Sequence, residues 1–130
     1  MALDLLKAGK PITVQDSKLR GVDNGDPEVT YTIHQISPAK NQAVIKAHSQ
    51  QRRGFVEVDN LAVLDDLVDL ALQGWSGILL DGVPAPCSRE LKLSGLDFTR
   101  KQAIVETALS MTAARAEARA ESFREPSSVG

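Results

Sequence analysis

Gly74-Trp75-Ser76-Gly77-Ile78-Leu79-Leu80-Asp81-Gly82-Val83-Pro84-Ala85-Pro86-Cys87-Ser88 contains the only tryptophan and the only cysteine of the chain, together with its densest turn chemistry. The indole follows directly on an apolar helix pattern, with Gly74 and Gly77 on either side of Trp75-Ser76. The helix is therefore predicted to stop here and Trp75 to act as a large buried anchor. Ile78-Leu79-Leu80 is a short apolar run closed by Asp81-Gly82, a dipeptide whose tolerance of positive φ suits a type I′ turn, so a small strand or hairpin is expected. Pro84 and Pro86 fix their own φ and hold Val83 and Ala85 extended, and Ser88 is placed to cap a new helix. The segment reads as a rigid joint built on Gly74, Trp75, Gly77, Asp81, Gly82, Pro84, Pro86 and Ser88. If the indole is fully buried, Trp75→Ala is expected to cost about 3–5 kcal/mol.

Upstream of the joint, Asp59 or Asn60 can cap a helix over about 60 to 73. Leu61, Leu64, Leu67, Val68, Ala71 and Leu72 give it a broad apolar face, while Asp65, Asp66 and Asp69 share the remaining side. Asp65 and Asp69 lie one helical turn apart, but a hard cation normally needs more oxygen ligands from a shaped loop, so a solvated acidic edge facing the basic first helix is the expectation. That first helix is predicted over about 38 to 53. Ser37-Pro38 reads as an N-cap with proline in the first helical position, and Arg52-Arg53-Gly54 as a basic last turn with a glycine stop. Phe55-Val56-Glu57-Val58 is a short β-like run.

Near the beginning, Ile12 and Val14 alternate with polar residues, as do Val29, Tyr31 and Ile33; both stretches read as half-buried strands of an antiparallel pair. Gly21 to Pro27 between them reads as a mobile polar loop. Downstream of the joint, Ser88 opens a short helix through Leu91, Leu93 and Leu96, and Thr99-x-x-Gln102 has the form of a capping box. The last helix buries Ile104, Val105, Ala108, Leu109 and Met111. Beyond Thr112 the sequence becomes an alanine, arginine and glutamate run of high helix propensity and small side chains, ending in a segment, Pro126 to Gly130, expected to be disordered.

The expected fold is α+β, with an N-terminal antiparallel β unit followed by a small helical bundle and an extended C-terminal helix. Residues 1–111 form one domain and residues 112–130 a helical extension. On that extension and its root, Met111, Arg115, Arg119 and Phe123 are the candidate partner contacts, since good propensity with poor self-packing suits docking.

Composition narrows function. With 130 residues and 42% hydrophobic content there is enough chain for one core, and an aromatic share of 4% requires that core to be aliphatic. One cysteine makes no internal disulfide, and Asp4 and Lys7 interrupt the apolar start, so neither a secretory signal nor a membrane span is expected. A net charge of −2 gives no field that would draw nucleic acid or an anionic membrane surface. Lys40, Lys46, Arg52 and Arg53 do not share one stripe of a helix and carry no interleaved aromatics, which argues against a groove-reading face. Partners are expected to be proteins.

Catalytic patterns are missing. Cys87 has no histidine nearby in sequence, and His34 and His48 carry no metal-ligand spacing. Ser76 lies in Gly-Trp-Ser-Gly, one residue short of a nucleophile elbow, and no phosphate-loop pattern occurs. No enzymatic activity, cofactor or metal is expected.

Trp75-x-Gly77-Ile78 followed by Asp81-Gly82-x-Pro84-x-Pro86 and the capping Ser88 resembles a pattern of the small tail assembly chaperones of long-tailed bacteriophages and related tailed elements. With the preceding acidic apolar helix and the β-rich beginning, the resemblance covers roughly residues 10 to 110. It implies a non-enzymatic protein of the host bacterial cytoplasm that binds the apolar helical stretches of a tape-measure protein, keeps it soluble and yields to the tail-tube protein as the tube polymerises. Self-association into a homo-oligomer is compatible with that role. The alternative is a structural subunit of the particle, such as a tail-tube, tail-terminator or head-tail connector protein; a nucleic-acid-binding module comes third.

Overall fold

A computed structural model describes residues 11–111. At its centre is the strand Thr30–Ile33, whose alternating side chains send Tyr31 and Ile33 into the core and leave Thr30 and Thr32 half-covered. Numbered in chain order, this is β2. It pairs antiparallel on one side with β1 (Ile12–Gln15) and on the other with Leu72–Ser76, in the order β1-β2-β5. Between the two flanking strands the chain forms α1 (Pro38–Ala47), a hairpin of β3 (Ser49–Arg52) and β4 (Phe55–Val58), and α2 (Asn60–Ala71), which runs straight into β5 (Leu72–Ser76). The hairpin β6 (Leu79–Leu80) and β7 (Val83–Pro84) follows, then α3 (Arg89–Gly95) and α4, residues 98–111. The α+β class is as expected. The order is not, because strands and helices interleave along the chain rather than falling into a β unit and then a bundle.

Several local signals act as read. Ser37 Oγ accepts from the Lys40 N–H at 3.1 Å with Pro38 in the first turn, and Asp59 accepts from the Ala62 N–H at 3.2 Å, capping α1 and α2. Three boundaries need correction. The first helix stops at Ala47, not at residue 53, and Arg53-Gly54 is a hairpin turn with φ of 43° and 86°, both positive as a type I′ turn requires. The second helix stops at Ala71, because Leu72 leaves the helical path to pair with Ile33 across the sheet. The last helix is capped by Asp97 rather than by Thr99, its carboxylate accepting from the Arg100 N–H at 2.8 Å.

The core is aliphatic apart from Tyr31. Ile33, Val68, Leu72 and Ile104 are among its fully enclosed side chains, contributed by β2, α2, β5 and α4 in turn. Leu61, at the start of α2, is exposed, although its helical spacing grouped it with the apolar face. No described helix is long and apolar enough to cross a membrane.

One buried polar cluster joins the two ends of the described chain. Asp16, in a single 3-10 turn after β1, is 2% exposed, and it accepts from the Tyr31 hydroxyl at 2.7 Å and from the Arg100 guanidinium at 2.8 and 2.9 Å. The Asp26 N–H donates to the same carboxylate at 2.9 Å, so the loop expected to be mobile is fastened at its far end. Four donors converge on one carboxylate, and the charge is held where an unpaired one would be strongly disfavoured. The bonds from Arg100 are the main reason its pKa falls from 3.8 to about 2, and burial beside that carboxylate pushes the Tyr31 phenol above its ordinary range.

Candidate interaction surface

The joint around Trp75 is built at the end of β5. Trp75 sits opposite Tyr31 in the strand register, and its Nε1–H donates to the Ala85 carbonyl at 2.9 Å. The indole thereby ties the sheet to the proline-rich segment. It does so half-buried, at the margin of the core, so the expectation of a fully enclosed anchor immediately after a helix is corrected on both points. Because part of the ring stays in water, Trp75→Ala is expected to cost about 2 kcal/mol, roughly half of what truncating a buried aromatic does. Thermal melting followed by circular dichroism checks this; a loss near 5 kcal/mol would place the indole inside the core after all.

After Ser76, whose hydroxyl is hydrogen-bonded to that of Thr30, the chain bends at Gly77, φ 83°. Asp81 and Gly82 then close β6 on β7 with φ of 53° and 79°, the two-residue type I′ turn that the dipeptide suggests. Pro84 lies in β7, and the Ala85 N–H donates to the Ile78 carbonyl at 2.9 Å, extending the hairpin by one rung. The Pro86 carbonyl accepts from Ser88, and the Ser88 hydroxyl caps α3 by accepting from the Leu91 N–H at 3.3 Å. The eight joint residues are thus one continuous structure: strand end, bend, hairpin and helix cap.

The hairpin does not turn its large side chains inward. Leu79, Leu80 and Val83 are 61%, 51% and 62% exposed. Leu79 and Leu80 also line a small pocket of about 160 Å³, together with Trp75, Ile78, Leu91 and Leu96 among others. Its walls come from β5, the hairpin, α3 and the segment leading into α4. An exposed apolar cluster next to a concave apolar surface is suited to receiving another protein's apolar side chains.

The acidic side of α2 is not the solvated edge that its sequence implies, nor does it chiefly face the basic first helix. Arg89 bridges Asp66 at 2.9 Å and Asp69 at 2.8 Å, the buried Lys92 reaches Asp69 at 3.2 Å, and Lys101 reaches Asp65 at 3.0 Å. These pairs fasten α3 and α4 to α2; α1 contributes only His48, at its C-cap, which is 2.6 Å from Asp66. The hydrogen bond from His48, followed by that from Arg89, lowers the Asp66 pKa, while burial pushes Asp69 upward and Arg89 and Lys92 bring it below the ordinary range. Cys87 is half-buried and burial raises its thiol pKa, which disfavours the reactive thiolate.

No family model matches the chain, and neither a curated protein nor a solved structure matches it.

Of the candidate partner contacts, Met111 is half-buried and packs against the core at the end of α4. Arg115, Arg119 and Phe123 lie outside the described residues. What the sequence reading overlooked is the exposure of the hairpin itself: Leu79, Leu80 and Val83 look like core residues in any apolar count. Two features mark them otherwise, the two-residue turn and Pro84 in the return strand, because a hairpin so short has no second face to bury.

Proposed function

We propose that the protein is a non-enzymatic tail assembly chaperone of a long-tailed bacteriophage or related tailed element, acting in the host bacterial cytoplasm. It binds apolar helical stretches of the tape-measure protein, keeps that protein soluble and releases it as tail-tube subunits polymerise. One observation carries the reading. The segment that resembles the chaperone pattern leaves Leu79, Leu80 and Val83 exposed, and Leu79 and Leu80 line an apolar pocket. Three large apolar side chains within five residues of a hairpin tip are costly to leave in water unless they are covered in use, and covering apolar helix surface reversibly needs no chemistry beyond burial. The task calls for neither cofactor nor metal.

The fate of the chain tests this reading against that of a structural subunit. A chaperone is expected to copurify with a tape-measure fragment from producing cells and to be missing from mature particles. Recovery of the chain from purified particles by mass spectrometry, in stoichiometric amount, would instead assign it to the tube, terminator or connector.

A further inference from the structure

A second concave surface runs along α4. Thr99, Gln102, Glu106 and Leu109 border it together with the buried Ala103, and Arg20 and Gly21, from the segment beyond the 3-10 turn, complete it. This trough has a volume of about 640 Å³. At the helical rise it follows α4 for about 16 Å, room for a row of side chains rather than one. Two opposite charges stand in it: Arg20 and Glu106 are exposed and make no ion pair with any described residue. Thr99, Gln102, Glu106 and Leu109 follow an alternating three-and-four spacing, and in the sequence that spacing runs on past the described residues through Ala113, Ala116, Ala120 and Phe123. No glycine or proline between Leu96 and Glu125 offers a reversal that would bring this segment back onto its own α4. Laid antiparallel against a second copy, however, the two halves of the seam complement one another. Leu109 comes opposite Ala113, Glu106 opposite Ala116, Gln102 opposite Ala120 and Thr99 opposite Phe123, so every pairing sets a larger side chain against a smaller one. The charges match as well. Arg115 and Arg119 flank Ala116 on one side, within reach of Glu106, and Glu117 and Glu121 flank it on the other, where Arg20 requires an anion. A parallel pair in register would set Glu106 against its own copy.

We infer that the trough along α4 receives residues 113–123 of a second copy of the chain, docked as an antiparallel helix, and that the second copy's trough receives the same residues of the first. Each facing pair lies symmetrically about Met111 in the sequence, as a two-fold contact requires. Small side chains let the two helices approach closely, and the paired charges fix their direction. The interface uses none of Leu79, Leu80 and Val83, so the exposed hairpin stays open to a different partner in the dimer.

Sedimentation equilibrium of the full chain is expected to show a dimer. Glu106→Arg changes an exposed residue, and it is expected to weaken dimerisation about tenfold while the chain stays folded by circular dichroism, because a two-fold interface holds each contact twice. Arg115→Glu together with Arg119→Glu is expected to do the same. All three substitutions in one chain are expected to restore the wild-type affinity, a recovery that a purely local effect on α4 would not produce. Cross-linking reads the orientation. With Cys87→Ser removing the native thiol, Gln102→Cys and Ala120→Cys introduced together are expected to join two copies through disulfides on oxidation. A full chain that remains monomeric at millimolar concentration, a dimer indifferent to Glu106→Arg, or a triple variant that dimerises no better than its parents would overturn the inference. So would a disulfide formed within one chain, since it would place the segment on its own trough. None of these variants alters the hairpin, so their outcome is read independently of the chaperone function.

Discussion

Arg100→Ala is expected to remove about 3–5 kcal/mol of folding stability, the cost of leaving a buried carboxylate without its charged partner. Asp16 is enclosed, and among the described residues the two bonds from Arg100 are the only ones it receives from a cation. Tyr31 and the Asp26 N–H stay in place but bring dipoles rather than charge. Urea unfolding followed by circular dichroism measures the loss. Asp16→Asn combined with Arg100→Ala is expected to recover part of it, because no charge then remains to be desolvated. A single variant within about 1 kcal/mol of wild type would mean that water reaches Asp16 and that the cluster contributes little.

The same cluster shapes the response to acid. Asp16 has a folded pKa of about 2 against an ordinary value of 3.8, so its contribution is fully present above the ordinary value and disappears as pH falls through about 2. A depression of that size corresponds to roughly 2 kcal/mol. Asp66 and Asp69 are lowered too and act in the same direction. In Arg100→Ala the principal cause of the Asp16 depression is gone, and acid unfolding is expected to begin at higher pH.

Gly77→Ala is expected to cost about 3 kcal/mol, from two sources that Gly82→Ala separates. Both glycines have φ near 80°, where an L side chain carries about 1–2 kcal/mol of strain. At Gly82 an added methyl enters open space, whereas at Gly77 it would run into the Glu28 carbonyl and the Val29 backbone. The chain bends there hard against the loop that leads into β2. Paired thermal melts should show the Gly77 variant losing clearly more than the Gly82 variant, and equal losses would refute the close approach.

What was legible in the sequence was whatever is decided within a few residues. Ser37-Pro38, Asp59, Ser88 and Asp81-Gly82 each determine a cap or a turn through their own backbone chemistry, and each acts as its local signal suggests. Arg53-Gly54 misleads because a basic last turn with a glycine stop and a type I′ turn call for similar residues. The choice between them rests on β4, whose Phe55 and Val56 pair with Arg52 and Gln51 and draw polar Ser49–Arg52 into a strand it would not form alone. Leu72 and Trp75 continue the apolar spacing of α2, yet they belong to β5, because β2 offers unpaired backbone some forty residues earlier. Asp16 was least legible. Its partners lie 10, 15 and 84 residues away, and no periodic pattern links them.

That last separation also bears on how the protein is made. Synthesis delivers the chain from its N-terminus, so β1, β2 and Asp16 leave the ribosome long before Arg100 exists. Until then Asp16 must stay hydrated, and β2 must wait for β5. Ile104 and Ala108, both fully buried, come later still. Folding therefore closes from the C-terminal side: α4 is the piece that completes the core. A chain that stops before α4 lacks both the cation for Asp16 and the side chains of Ile104 and Ala108 that complete the core.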